Sequence, residues 1–161
     1  HQGKLDQAVI FDPLRGELFT ASRGRGAQLN GTRIRVNNLP DMQGTILATG
    51  FPFKAKHHLD SYNKIFNAFF ADCADMRRTG SAALDLAYVA AGRFDGFWEI
   101  GLKPWDIAAG ELIVREAGGM VCDFAGGSNH MKSGNIVAAS PKVLQAMVKG
   151  MRPHLSETLA K

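Results

Sequence analysis

The chain has 161 residues, of which 45% are hydrophobic and 21% charged, and its formal net charge is +4. This balance is typical of one globular domain with a sizeable core. Every apolar run is shorter than the roughly 18 residues that a membrane-spanning helix needs, so we expect no membrane contact.

The first part of the chain is predicted to form β-hairpins. Strand patterns at 8–11 and 17–21 flank the turn sequence DPLRGE. The pair Asn30-Gly31, between two further strand-like runs, is the strongest short-range hairpin signal. Another apolar strand is expected at 45–50.

Helices and strands are predicted to alternate in the rest of the chain. Apolar residues at helical spacing predict helices over 59–73 and 80–92, then one from Asp106 to Ala117 and one after Pro141. Short strands are expected between the helices, at 94–101, 120–124 and 135–140. This order predicts a layered α/β domain in which helices pack against sheets.

Four arginines crowd into the stretch SRGRGAQLNGTRIRVN: Arg23, Arg25, Arg33 and Arg35. Strand alternation would place Arg33 and Arg35 on one exposed face. Such a patch could contact an acidic partner or nucleic acid. An ordinary charged surface is the favoured interpretation, because no aromatic interleaving or nucleic-acid motif accompanies the arginines.

The two cysteines, Cys73 and Cys122, lie far apart and lack CxxC spacing. We interpret both as buried thiols of a reducing compartment rather than as a disulfide or a metal pair. This use of cysteine favours a cytoplasmic protein.

A carboxylate stands at the start of the apolar stretch WDIAAGELIVREAGG. Asp106 either caps the helix, a position that suits aspartate, or acts as a ligand for something outside it. Ala109, three residues later, cannot complete a capping box. From this stretch alone, the cap is the favoured interpretation.

A second acid, Glu99, lies inside the apolar stretch GFWEIG, where an unpaired charge is costly to bury. If this strand ends near the start of the next helix, Glu99 and Asp106 face one cleft. Paired carboxylates in such a cleft suit a hard cation or a polyhydroxylated ligand. Alternatively, Glu99 points to solvent at a sheet edge, because the strand register is not fixed by the sequence.

The stretch RRTGSAALD places Gly80 and Ser81 before a helix of small residues. Free backbone N–H groups at such a helix start bind anions, phosphates in particular. Arg77 and Arg78, just before it, could add charge-assisted contacts. A serine N-cap followed by two solvated arginines is the simpler alternative.

Taken together, these stretches resemble the inositol monophosphatase family, and within it the bacterial SuhB type. The stretch WDIAAGELIVREAGG (105–119) resembles the family's long and specific C-terminal signature. The stretches at 80–101 and 9–36 are similar to the family as well. The resemblance implies an α+β sandwich and covers the whole chain. It also indicates that residues 1–161 are the C-terminal portion of one such domain.

The resemblance implies metal-assisted hydrolysis of a phosphate monoester, inositol-1-phosphate, with Mg²⁺ as cofactor. Asp106 would be a Mg²⁺ ligand that also contacts the substrate, and Glu99 would bind hydroxyls of the inositol ring. The substrate pocket would be completed by Arg77, Gly80, Ser81 and Ala82. The family's other metal ligands come from motifs that this sequence lacks, so we expect the chain alone to be inactive.

Other functions remain open. Within the same superfamily, the alternatives are a fructose-1,6-bisphosphatase or a bisphosphate nucleotidase. From a different class, the resemblance to the SuhB type implies a regulatory role in transcription antitermination, through contact with RNA polymerase and Nus factors. Family members commonly dimerise, so a homodimer is expected.

Overall fold

The computed structural model describes residues 1–160, which form nine strands and five α-helices. The strands are β1 (Gln7–Asp12), β2 (Glu17–Ser22), β3 (Gly26–Leu29), β4 (Thr32–Arg33), β5 (Ile46–Thr49), β6 (Asp75–Arg77), β7 (Gly96–Glu99), β8 (Met120–Cys122) and β9 (Ile136–Ala139). The helices are α1 (Leu59–Phe70), α2 (Ala82–Ala90), α3 (Pro104–Glu116), α4 (His130–Ser133) and α5 (Pro141–Met151).

Strands β1 to β4 form an antiparallel sheet in chain order. Its inner face buries alternate residues such as Ala8 and Ile10, whereas Val9 and Phe11 stay exposed on the outer face. The predicted Asn30-Gly31 hairpin is confirmed: both residues have positive φ, 48° and 80°, as a tight two-residue turn requires.

The other five strands form a mixed sheet in the order β6-β5-β7-β9-β8. Strand β5 runs parallel to both β6 and β7, and β9 lies antiparallel between β7 and β8. All four residues of β7 and all four of β9 are buried, because helices cover both faces of this sheet.

The molecule is built in layers, which confirms the predicted layered α/β class. Helices α2 and α3 lie between the two sheets, where Phe97 and Ile136 of the mixed sheet pack against them. Helices α1 and α5 cover the far face, where Trp98 and Val137 point. Because successive side chains of β7 and β9 point to opposite faces, the mixed sheet contributes to both apolar cores.

Several local predictions need correction. Helix α3 begins at Pro104 rather than Asp106, since proline suits the first helical turn, and Lys103 precedes it as the N-cap. Strand β4 ends at Arg33, so Arg33 and Arg35 do not share a strand face, although both are exposed. Cys122 is a buried free thiol as predicted, whereas Cys73 is only half-buried.

Between residues 1 and 160, none of the helices is both long and apolar enough to cross a membrane.

Candidate active site

A cleft of about 310 Å³ opens where two strands of the mixed sheet end and two helices of the middle layer begin. Because β5 and β7 are parallel, their carboxyl ends meet at one edge of the sheet, where ligands of α/β proteins commonly bind. The cleft is lined by Gly50 after β5, Glu99 at the end of β7, residues 80–83 at the start of α2, and Asp106 in the first turn of α3.

The Glu99 side chain folds into this cleft and is only 9% exposed. Its carboxyl lies directly against the backbone of Gly50, where a Cβ atom would sit 2.3 Å from the carboxyl carbon. Glycine at position 50 therefore provides the space that the carboxyl occupies. The structure thus places Glu99 on a central strand beside Asp106, not at a solvent-exposed edge.

Burial raises the pKa of Glu99 to about 7. The negative charges of Asp85 and Asp106 contribute to this rise in pKa, and the positive charge of Arg78 opposes it. Glu99 therefore exchanges a proton near neutral pH, as groups in active sites often do.

Asp85 is a further acid of the cleft, which the sequence analysis did not single out. It is 1% exposed, and its Oδ1 accepts a hydrogen bond of 2.6 Å from the Thr79 hydroxyl. Burial raises the pKa of Asp85 to about 6, although the Thr79 hydrogen bond and the charge of Arg78 act in the opposite direction. An acid inside the otherwise apolar helix AALDLAYVA was the signal that could have revealed it.

The two raised pKa values predict that stability falls as pH rises from about 4 to about 7. In this window the folded state binds more protons than the unfolded state, because Asp85 and Glu99 titrate near pH 6 and 7 instead of near their usual values of 3.8 and 4.5. Each group is expected to contribute roughly 2–3 kcal/mol to this loss. Urea unfolding without metal, across this pH range, measures it.

Asp85→Asn and Glu99→Gln should each flatten the decline relative to the unaltered protein. The matched control is Asp60→Asn, because Asp60 is exposed on α1 and pairs only with Lys64 there, at 2.7 Å. If all three variants follow the pH dependence of the unaltered protein, the buried acids do not cause it.

Ser81 is the N-cap of α2, and its hydroxyl accepts a 3.4 Å hydrogen bond from the Leu84 N–H. Gly80 precedes it with a positive φ of 93°, a conformation that favours glycine. Gly80, Ser81 and Ala82 all line the cleft, so the first turn of α2 faces it. Their role as substrate contacts stays a prediction.

The two arginines before α2 lie in different surroundings. Arg77, at the end of β6, forms an exposed ion pair with Asp75, and it is not part of the cleft lining. Arg78 lines the cleft, with its guanidinium 5.2 Å from the ring centre of Phe51. The predicted substrate contact of Arg77 stays a prediction, and Arg78 is the arginine that the cleft contains.

Asp106 occupies the third position of α3, where its carboxylate accepts a 2.9 Å hydrogen bond from the Lys103 backbone N–H. It serves as one half of a capping arrangement, and lysine has no acceptor atom for the other half. The half-buried carboxylate also lines the cleft. Both roles considered for Asp106, cap and ligand, are therefore compatible with its position.

The acidic side chains of the cleft fit Mg²⁺ in part. Carboxylate oxygens are the ligands that Mg²⁺ prefers, and Asp106 offers one at the mouth of the cleft. Across residues 1–160, however, no group of three or more His, Cys, Asp or Glu side chains is arranged as a metal site. The described part of the cleft therefore offers carboxylates that suit Mg²⁺ but not a complete metal site.

The rim of the cleft differs from its acidic floor. Phe51, Phe53 and Trp105 are 53%, 63% and 78% exposed around the opening. The Lys54 ammonium lies 5.2 Å from the ring centre of Phe53, and Arg78 lies over Phe51. An anionic group is thus attracted at the mouth, whereas hydrogen-bond donors and cations are attracted at the floor.

The sequence of the chain matches a known protein family. Residues 1–156 match the sequence profile of the inositol monophosphatase family. The chain is 63% identical over 158 residues to the Nus factor SuhB of Escherichia coli (strain K12), an alignment that covers 98% of this chain. It spans only 59% of the length of that relative.

Solved structures show the same fold. The extragenic suppressor protein SuhB from Bartonella henselae superposes with a TM-score of 0.91 at 43% identity, covering 96% of this chain and 59% of that one. The inositol monophosphatase from Anabaena (Nostoc) sp. PCC 7120 superposes with a TM-score of 0.85 at 35% identity, covering 90% and 57%. Both likenesses support the α+β sandwich.

Proposed function

Because the chain belongs to the inositol monophosphatase family, we propose that it supplies the substrate-binding part of a phosphatase that hydrolyses inositol-1-phosphate to inositol and phosphate with Mg²⁺. The observation that carries this proposal is the convergence of Glu99, Asp85 and Asp106 with the first turn of α2 on one cleft. Carboxylate oxygens suit both a hard cation and the hydroxyl groups of a polyol.

In this function Asp106 would hold Mg²⁺ and contact the substrate, while Glu99 would orient the alcohol that is released. Gly80, Ser81 and Ala82 contact the substrate from the start of α2, and Arg77 is a further substrate contact. When bound, Mg²⁺ supplies a water of lowered pKa and neutralises charge on the leaving oxygen. The buried floor excludes bulk water from the Glu99 carboxyl, which strengthens its hydrogen bonds to the substrate.

The proposed site is completed outside this chain. The relatives are longer, since the chain spans 59% of the Escherichia coli protein. We propose that residues 1–161 are the C-terminal portion of one domain, and that the missing segment carries the remaining metal ligands. The full-length protein, meaning this chain together with that segment, is then the active form.

Turnover of three phosphate esters by the full-length protein tests the proposal. We expect Mg²⁺-dependent release of phosphate from inositol-1-phosphate, and less from fructose-1,6-bisphosphate or adenosine-3′,5′-bisphosphate. The 161-residue chain, verified by its intact mass, should be inactive because its ligand set is partial. Preference for one of the bisphosphates would assign the protein to another branch, and full activity of the chain alone would contradict the divided metal site.

A second candidate function is a regulatory role in transcription antitermination. It is favoured by the relatives at 63% identity that carry the name Nus factor SuhB. The proposed partners are RNA polymerase and Nus factors in the cytoplasm, and the proposed assembly is a homodimer. Arg23, Arg25, Arg33 and Arg35 are exposed and provide a basic surface, away from the cleft lining, for such contacts.

A further inference from the structure

The floor of the cleft holds a buried acid that the proposed mechanism does not use. Asp85 is 1% exposed, yet it lines the cleft from the first turn of α2. Within the described residues 1–160, no lysine, arginine or histidine forms an ion pair with it. A buried carboxylate without a cation is costly, so it needs hydrogen-bond donors.

One donor is built into the fold. The Thr79 hydroxyl donates to Asp85 Oδ1 at 2.6 Å, and Thr79 Oγ1 in turn accepts a 3.4 Å hydrogen bond from the Ser81 N–H. This chain of hydrogen bonds fixes the carboxylate relative to the start of α2. An ionised carboxylate has about four acceptor positions, and the Thr79 hydroxyl occupies one of those on Asp85.

Glu99 lines the same cleft as Asp85. Its carboxyl is fixed against Gly50, so the two acids enter the cleft from different layers of the fold. Carboxyl acceptors on two residues of one cleft suit a ligand that carries at least two hydroxyl groups. A simple alcohol or a phenol cannot satisfy both.

We propose that Asp85 is a specificity-determining residue that, together with Glu99, accepts hydrogen bonds from two hydroxyls of the substrate's polyol, and that Thr79 positions it. This inference rests on the proposed phosphatase function and deepens it. A site built to bind hydroxyls rejects analogues that lack them, because its buried polar groups are then left unpaired.

The test compares a polyol substrate with one that has no hydroxyls, using the full-length protein. We expect Asp85→Asn to raise KM for inositol-1-phosphate by about ten-fold or more, and by at least about five times more than KM for phenyl phosphate. Thr79→Val should also raise KM for inositol-1-phosphate more than KM for phenyl phosphate. The difference should be smaller than in Asp85→Asn, because Asp85 is still present and only loses the hydrogen bond that holds it. The charge-matched control Asp60→Asn should leave both substrates unaffected, since Asp60 is exposed on α1.

Calorimetric titration with myo-inositol provides a measurement that does not depend on turnover. The unaltered protein should bind myo-inositol more tightly than Asp85→Asn does. Should Asp85→Asn fail to fold in a thermal scan, the Thr79→Val ratio decides. An equal change for both substrates, together with unchanged binding of myo-inositol, overturns the role of Asp85.

A wrong phosphatase assignment would give a different pattern of results in these assays. If the unaltered full-length protein hydrolyses neither ester but binds myo-inositol through Asp85, the phosphatase assignment is wrong and the polyol site stands. If it neither hydrolyses the esters nor binds myo-inositol, both are wrong.

Discussion

Asp106→Asn in the full-length protein is expected to lower kcat/KM for inositol-1-phosphate by more than about 100-fold, since losing even an outer-shell partner of a metal ligand costs 10–100-fold. Asparagine keeps the shape of the side chain but loses the charge that attracts Mg²⁺. It also keeps an oxygen that accepts the Lys103 N–H, so α3 should remain capped. Steady-state kinetics together with a thermal scan measure the two effects.

Asp106→Ala separates the metal role from the cap. Alanine removes both the charge and the acceptor, so it should lose activity as Asp106→Asn does and additionally cost about 1 kcal/mol of stability. Retention of more than a tenth of the activity by Asp106→Asn would mean that this carboxylate is not a metal ligand. In that case its position is explained by the cap alone.

The variant Asp106→Asn also distinguishes a catalytic function from a regulatory one. Asp106 lies in the cleft, whereas the four exposed arginines, Arg23, Arg25, Arg33 and Arg35, do not line it. A regulatory surface formed by these arginines should therefore still bind RNA polymerase or Nus factors in Asp106→Asn. If turnover and binding disappear together in a variant that is correctly folded, the idea of a separate surface fails.

Gly50→Ala should reduce activity strongly through a single added methyl group. An ideal Cβ at this position would lie 2.3 Å from the Glu99 carboxyl carbon and 2.3–2.4 Å from its two oxygens. The carboxyl must therefore move by about 1 Å or more, and a misplacement of that size costs on the order of 100-fold in rate. Since the carboxyl is the end of a flexible side chain, stability should fall by less than about 2 kcal/mol.

A double-mutant cycle with Glu99→Ala checks this explanation, because truncating Glu99 removes the group that the new methyl would meet. Gly50→Ala should then cause no further loss of activity or stability in the Glu99→Ala background. Additive losses would show that the methyl group disturbs something other than Glu99.

Sequence patterns predicted the local elements of this fold better than their arrangement. The Asn30-Gly31 hairpin and the strands around it were predictable because turn chemistry acts over a few residues. The insertion of β9 between β7 and β8 was not, because pairing between distant strands leaves no short-range signal. The first turn of α3 was missed because Asp106 resembled an N-cap, whereas Pro104 already starts the helix.

The candidate site was predictable in part. Acidity and apolar surroundings drew attention to Glu99 and Asp106, which the structure brings to one cleft. The role of Gly50 was missed, because it depends on contact with the Glu99 side chain from another strand. The distinction between Arg77 and Arg78 depends on which way each side chain points at the end of β6, and a shift of one residue reverses that assignment.

The division between a buried floor and an exposed rim has a consequence for how this scaffold can diversify. Floor residues such as Glu99 and Asp85 belong to elements packed in the core, so exchanging them alters folding and chemistry together. The exposed side chains of Phe53 and Trp105 stand outside that packing, and surface substitutions usually change stability by less than about 0.5 kcal/mol. Libraries restricted to the rim can therefore explore new ligands with little risk to the fold. Substrate preference can diverge in nature by the same kind of substitution, with a small change in stability.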